Sequence, residues 1–385
     1  MKKKMRLIIL FATLFYTLIS RAAYAQTAVS SGKDLFPVKA VIRYARDFTI
    51  TYHSTYKVIN ILNSTAAHKD TLQYVLVERG TAPPRGYGHA RLVTIPLQSI
   101  VATSSLHIAL AEFCGAAELI TGLGSFKYVT SAVVRKNMKV GKVSEVGNEG
   151  SMNNERLIAM HPGIVMVDAI PEAKFSRFQT LESAGIPVML NAEWLENTPL
   201  ARAEWVKLMA AFLDREALVI PRFNALADRY ARLAALAAQV KTKPSAIIGM
   251  PYKGTWFTPA GGSYMAVFLK DAGIAYAWAG KAGTGSLSLN FETVAPVALK
   301  ADFWLNAGYV NSRADISAID SRYSQFAPFR SDHVFNDNKK VNDLGSNDYW
   351  ESGAVNPDVV LADLIRIVHP ELLPGHELVY FKQLR

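Results

Sequence analysis

The sequence predicts an α/β protein: two Rossmann-like lobes with mostly parallel sheets, joined by a single long backbone helix and preceded by an N-terminal β-rich extension. Three observations carry this reading. From residue 91 onward, short apolar strands alternate with amphipathic helices. One long Ala- and Leu-rich run, 223–240, interrupts that alternation, and the alternation then restarts. A unit that begins Ser-x-Asn-x-Glu, continues as a helix and ends in an apolar strand occurs twice. Its copies are SMNNERLIAMHPGIVMVD (151–168) and SLNFETVAPVALKADFWLN (288–306), one in each lobe.

The 385 residues begin with a basic stretch, MKKKMR, and an apolar one, LIILFATLFYTLI (7–19). Ala23-Tyr24-Ala25 supplies a small-x-small cleavage pattern, so residues 1–25 read as a signal peptide. The apolar stretch is shorter than the about 20 residues a spanning helix needs. Cleavage after Ala25 lowers the formal charge from +10 to +5 over 360 residues, and no Lys/Arg stripe suited to nucleic acid remains. The one cysteine, Cys114, excludes an internal disulfide, a Cys-based zinc site and an iron–sulfur cluster. No cysteine follows the apolar stretch, so no lipid anchor is expected there. An exported, unanchored periplasmic protein is the expectation.

The elements follow in order. FTITYHSTYKVINIL (48–62) and LQYVLVE (72–78) read as strands flanking a polar turn, which makes 26–90 the β-rich extension. RLVTIP opens the first lobe, 91–213, and SSLHIALAEFCG is its first helix. GIVMVDA is a continuous apolar run of the kind buried in parallel sheets. The backbone helix is assigned to 214–243, with Pro221 in a first turn and Lys243-Pro244 as its stop. AIIGMP, SYMAVFLKDAG, IAYAWAG, ADFWLNAG and NPDVVLADLIRIVHP repeat the alternation in the second lobe, 244–385.

Enzyme signatures are missing. There is no G-x-S-x-G elbow and no P-loop, and Tyr380 stands where His376-Glu377 would need a second zinc-binding His. The eight histidines are scattered, and His107, in an apolar helix, reads as a core residue. No catalytic residue, cofactor or metal site is expected. Aromatic residues instead gather in the loops that follow predicted strands: Phe126, Tyr128, Tyr252, Trp256, Phe257 and Tyr309. Open α/β sheets bind ligands at that edge, and aromatics there suit a large organic or metal-chelating ligand. Arg313, Arg322 and Arg330 would suit an anionic one, with surface solvation as their plain alternative.

The set GLGSFKYVTS, VGNEGSMNNERLIAMHPGIVMVD, GTWFTPAGGSYMAVFLKDAG, SLNFETVAPVALKADFWLN and DYWESGAVNPDVVLADLIRIVHPELLPGH, in that order, resembles the helical-backbone periplasmic binding proteins of iron–siderophore, haem and vitamin B12 ABC importers. The resemblance implies a substrate-binding protein, expected as a monomer, that holds a ferric siderophore or a corrinoid between its lobes. Haem is the alternative cargo, and a cell-envelope hydrolase is the rival from another class. The resemblance also implies docking on an ABC permease dimer through one acidic residue per lobe. The matching positions are Glu155 and Glu292 of the repeated unit. Each alone would merely favour its helix N-terminus, by about 0.3–1 kcal/mol.

Overall fold

Four sheets organise the chain in the computed structural model, which describes residues 34–63, 70–148, 150–169 and 175–385. The leader read at 1–25 lies outside the described residues. The extension is an antiparallel run of β1 (Phe48–Tyr52), β2 (Tyr56–Asn63) and β3 (Asp70–Glu78), with β4 (Arg91–Ile95) added parallel to β3. Two sequence expectations change here. The run 48–62 is two strands, not one, because residues 53–55 turn the chain back. RLVTIP joins the extension sheet instead of opening the first parallel sheet. Alternation then sorts the side chains: Ile59, Ile61, Tyr74, Leu76, Val93 and Ile95 enter the main core, and Val58, Val75 and Val77 pack on the other face under Tyr56, Tyr87 and Ala90.

Buried carboxylates fasten this extension to the first lobe. Glu204 is fully buried and accepts from the backbone N–H groups of Arg43, Tyr44 and Ala45, and from Lys207 Nζ at 2.6 Å. Glu196 accepts from the N–H groups of Arg46 and Asp47 and from Trp205 Nε1. Lys57, buried in β2, reaches Glu216 at 2.6 Å and Asp214 at 2.9 Å.

The first lobe holds β5 (Ile100–Ala102), β6 (Ile120–Leu123), β7 (Ser144–Glu145), β8 (Val165–Asp168) and β9 (Val188–Asn191) in the order β7-β6-β5-β8-β9. All its pairings are parallel. The long helix runs Glu216–Ala237 and buries Val219, Phe223, Leu226, Ala227 and Tyr230 along one stripe. It begins earlier than its apolar pattern suggests, so Pro221 lies inside it and not in its first turn.

The second lobe contributes β10 (Ser245–Ile248), β11 (Pro251–Tyr252), β12 (Thr255–Pro259), β13 (Ala275–Tyr276), β14 (Ser286–Leu289), β15 (Phe303–Leu305), β16 (Val334–Asn336) and β17 (Lys382–Gln383). Its main sheet has the order β13-β10-β15-β16-β17, parallel except for β17. A small antiparallel sheet, β11-β12-β14, stands beside it. Trp256 belongs to this lobe's core. Only 1% exposed, it packs against Trp304, Tyr323 and Phe326 and donates its indole N–H to Ile248 O at 2.9 Å. This corrects the expectation that Trp256 faces a ligand. In β12 successive side chains point to opposite faces, so Phe257 is outside because Trp256 is inside.

The long helix is not the lobes' only link. The segment 340–352 of the second lobe lies along 127–135 of the first. Glu351, 2% exposed, accepts from the N–H groups of Thr130 at 2.9 Å and Ser131 at 2.7 Å. Asp348 accepts from Thr130 Oγ1 at 2.8 Å, and Asn342 Nδ2 donates to Val129 O at 2.7 Å. Burial pushes the Glu351 carboxyl up to about 7, against the lowering effect of its Thr130 and Ser131 hydrogen bonds.

Two predictions follow from this packing. Trp256→Ala should lower unfolding free energy by about 3–5 kcal/mol, as for other buried Trp truncations, measured by urea titration. Unchanged stability would return Trp256 to the cleft. For Glu351, the folded pKa lies above the unfolded value of 4.5. Its contribution to stability is therefore fully present below about 4.5 and lost as pH rises through about 7. Glu351→Gln should shrink the stability difference between pH 5 and pH 8 by on the order of 1–3 kcal/mol. A slope of the same sign should persist, because burial also raises Asp47 and Asp337 to about 6.

Candidate ligand-binding cleft

Parallel pairing forces the carboxyl ends of β5, β6, β8 and β9 to one edge, and a cavity of about 460 Å³ opens there. Each of its walls has a local cause. Thr103 and Ser104 follow β5, and Ser104 Oγ caps the helix Ser105–Phe113 by accepting from Leu106 N. Ser125 follows β6 and caps the short turn Phe126–Tyr128 in the same way. Gly124 lets these two loops touch, because a Cβ there would meet Thr103 O at 2.7 Å and Asn148 Oδ1 at 2.5 Å. Asp168 ends β8 and lines the cavity with Ser105, Tyr128 and Asn148.

Beneath the cavity lies a buried polar cluster. His107 is fully buried, with Nε2 3.1 Å from Asp168 Oδ1. Neither ring nitrogen makes a hydrogen bond of good direction, so the contact is electrostatic. Glu193 is buried alongside and accepts from Arg202 Nη2 at 2.8 Å. Desolvation raises the Glu193 carboxyl, and Arg202 opposes that rise. The Arg202 guanidinium in turn lies 4.2 Å from the ring centroid of Tyr264, a second-lobe residue.

The sequence-predicted aromatics divide. Tyr128, 55% exposed, lines the cavity. Phe126 packs against the first lobe's core, its N–H donating to Glu145 Oε1. Tyr252 and Phe257 are exposed on the β11–β12 hairpin, and Tyr309 is exposed in the loop after β15. The described residues of the cavity lining all belong to the first lobe, and the second lobe's aromatics are not among them. Trp194 and Trp350 were missed and are also exposed. Trp194 follows β9 and donates its indole N–H to Ala169 O, next to Asp168. The rule that selected Tyr128, aromatics just past a parallel strand, would have selected Trp194 as well.

Arg313 is paired with Asp332, and Arg322 with Asp320. The repeated unit keeps its form in both lobes. Asn153 caps Asn154–Met160 and Asn290 caps Phe291–Ala298, each side chain accepting a backbone N–H at 2.9 Å. Glu155 and Glu292 are the second residues of these helices, and both are exposed. Among the described residues no group of three His, Cys, Asp or Glu side chains is arranged to hold a metal ion.

Comparison with known proteins fits this geometry. Residues 100–326 match the family described as periplasmic binding protein. An uncharacterised lipoprotein of Methanocaldococcus jannaschii is 26% identical over 371 residues, covering 89% of this chain and 85% of its own. CeuE of Helicobacter pylori, solved with Ni(II) bound, shares the fold at a TM-score of 0.56 and 14% identity, over 77% of this chain and 92% of its own. The periplasmic haem-binding protein RhuT of Roseiflexus sp. RS-1 does so at 0.52 and 15%, over 72% and 99%.

The archaeal match overturns the expectation of an unanchored periplasmic protein, because that relative is a lipoprotein. The lack of a cysteine just after the apolar stretch bears on one anchor chemistry only, a lipid on that cysteine. The long family match, together with the fold shared by solved binding proteins, establishes that this chain belongs to the periplasmic binding protein family.

Proposed function

We propose that the protein is the substrate-binding component of an ABC importer, held at a membrane surface, and that it carries an iron–siderophore or a corrinoid between its lobes. The observation that supports this most is the 460 Å³ cavity at the strand ends, within the size range of small-molecule sites. Exposed aromatics stand on both lobes, Tyr128 and Trp194 on one and Tyr252, Phe257 and Tyr309 on the other. Flat, polarisable side chains of this kind grip a bulky chelate at low entropic cost. The strap through Glu351 limits how far the lobes separate, so capture needs only a small closure. Haem is a second reading, favoured by the exposed Tyr128 phenol, since a phenolate can serve as an axial iron ligand. No catalytic step is part of the proposal.

Delivery needs a second surface. Glu155 and Glu292, exposed at corresponding helix starts in the two lobes, suit a permease dimer that presents cations on two sides. Exposed pairs add little affinity each, but matched charges set orientation and encounter rate.

The purified protein should quench its tryptophan fluorescence on titration with a ferric hydroxamate, a ferric catecholate, cobinamide, cobalamin or haem. Tyr128→Ala should weaken the binding about tenfold to a hundredfold, as for an aromatic anchor. No binding across the panel, with turnover of esters or phosphoesters, would sink the reading. The double variant Glu155→Ala, Glu292→Ala should keep full ligand affinity and lose uptake in cells. Loss of ligand affinity in that variant would assign both glutamates to the cleft instead.

A further inference from the structure

We infer, resting on the cleft reading above, that Asn336 and Asn338 are positioning residues that hold the loop 306–311 so that Tyr309 stands preformed as the second lobe's contact with the cargo. Parallel pairing sets Leu305 of β15 beside Phe335 of β16, so the chain leaves both strands side by side. Asn336 ends β16 and is fully buried. Its Nδ2 donates to Gly308 O at 2.8 Å and to Val310 O at 2.9 Å, the carbonyls of the residues on either side of Tyr309. Asn338 Nδ2 donates to Val310 O at 2.9 Å and to Asn311 Oδ1 at 3.0 Å. An amide turned the other way would set oxygen against oxygen, so the partners fix both side chains.

The loop is pinned from within as well. Ala307 and Val310 are buried in the second lobe's core. Gly308 takes φ +76°, and a Cβ there would meet Met250 Cβ at 3.2 Å. Between these anchors Tyr309 is fully exposed. A ring left in water adds no burial to the fold. Carried on a fixed backbone, it meets a ligand with little freedom left to lose. The loop also shares an attachment with Tyr128. Asn306 Nδ2 donates to Asp337 Oδ2 at 2.8 Å, and Asn347 Nδ2 reaches Asp337 Oδ1 at 3.5 Å. The next residue, Asp348, accepts at 2.8 Å from Oγ1 of Thr130, two residues beyond Tyr128. The two tyrosine loops, one per lobe, therefore hang on the same strap.

Stopped-flow tryptophan quenching tests this with ferrioxamine B, dicyanocobinamide and haem, using whichever binds tightest. Tyr309→Ala should raise koff and weaken binding about tenfold, as for an aromatic anchor. Asn336→Ala should weaken binding about threefold to tenfold through kon, because a loosened loop presents the ring for only part of the time. In the Tyr309→Ala background, Asn336→Ala should cost nothing further, to within about twofold. A role in packing alone would cost the same in both backgrounds. If Asn336→Ala does not fold, Asn338→Ala, at a half-buried position, supplies the same cycle. Full affinity in Tyr309→Ala, or additive losses in the double variant, overturns the inference and leaves the transport reading standing. Binding of no probe overturns both.

Discussion

A carboxylate can be buried only where hydrogen-bond donors replace the water it loses. This chain meets that condition repeatedly by one device, a buried carboxylate that collects consecutive backbone N–H groups from a distant segment. Glu204 takes those of Arg43, Tyr44 and Ala45, and Glu196 takes those of Arg46 and Asp47. Glu351 takes Thr130 and Ser131. Asp363, fully buried, takes Val379, Tyr380 and Phe381 and is met by His376 Nε2 at 2.6 Å. If one of these segments leaves, its carboxyl loses the donors that replaced water. The extension, the strap between the lobes and the C-terminal tail are each held this way.

The strap matters most for function. A hinge made of one helix would leave the second lobe free to swing about it. Glu351, Asp348 and Asn342 add a second attachment, on the side where 127–135 leads out of the cavity wall. Tyr128 sits within that wall, so the residues that line the cavity and those that hold the lobes together are covalent neighbours. A preformed cleft forfeits less conformational freedom on binding than one that must assemble.

Much of this architecture was legible locally. The apolar run GIVMVDA became β8, a buried parallel strand, because continuous hydrophobicity leaves no solvent face. The two Ser-x-Asn-x-Glu units kept matching Asn caps, because capping depends on one side chain and the N–H three residues on. What escaped was long-range. Nothing near Glu204 announces that its partners lie 160 residues earlier. RLVTIP has the same composition whether it pairs with β3 or with a parallel sheet, and only tertiary pairing decides. His107 was read as a satisfied core residue; it is buried, but its Asp168 partner is 61 residues away and unreadable from spacing. Trp256 was a different kind of miss. The alternation in TWFTP was present in the sequence, and it forbids Trp256 and Phe257 from sharing a face.

The extension finds its physical reason in the edge it covers. A parallel sheet leaves unpaired N–H and C=O groups along its last strand, and such edges invite unwanted pairing. In the first lobe that strand is β9. Tyr74, fully buried in β3, donates its phenol to Val188 O at 3.1 Å and accepts from Leu190 N at 3.2 Å. One hydroxyl therefore satisfies both outward groups at the middle of the edge, and the apolar face of the extension seals the rest. The chain passes from β4 into β5 through residues 96–99, so it enters the parallel sheet at the amino ends of its strands. The cavity lies at the carboxyl ends. The extension thus protects the sheet from the side and joins it from below, and the edge that opens into the cavity stays clear of it.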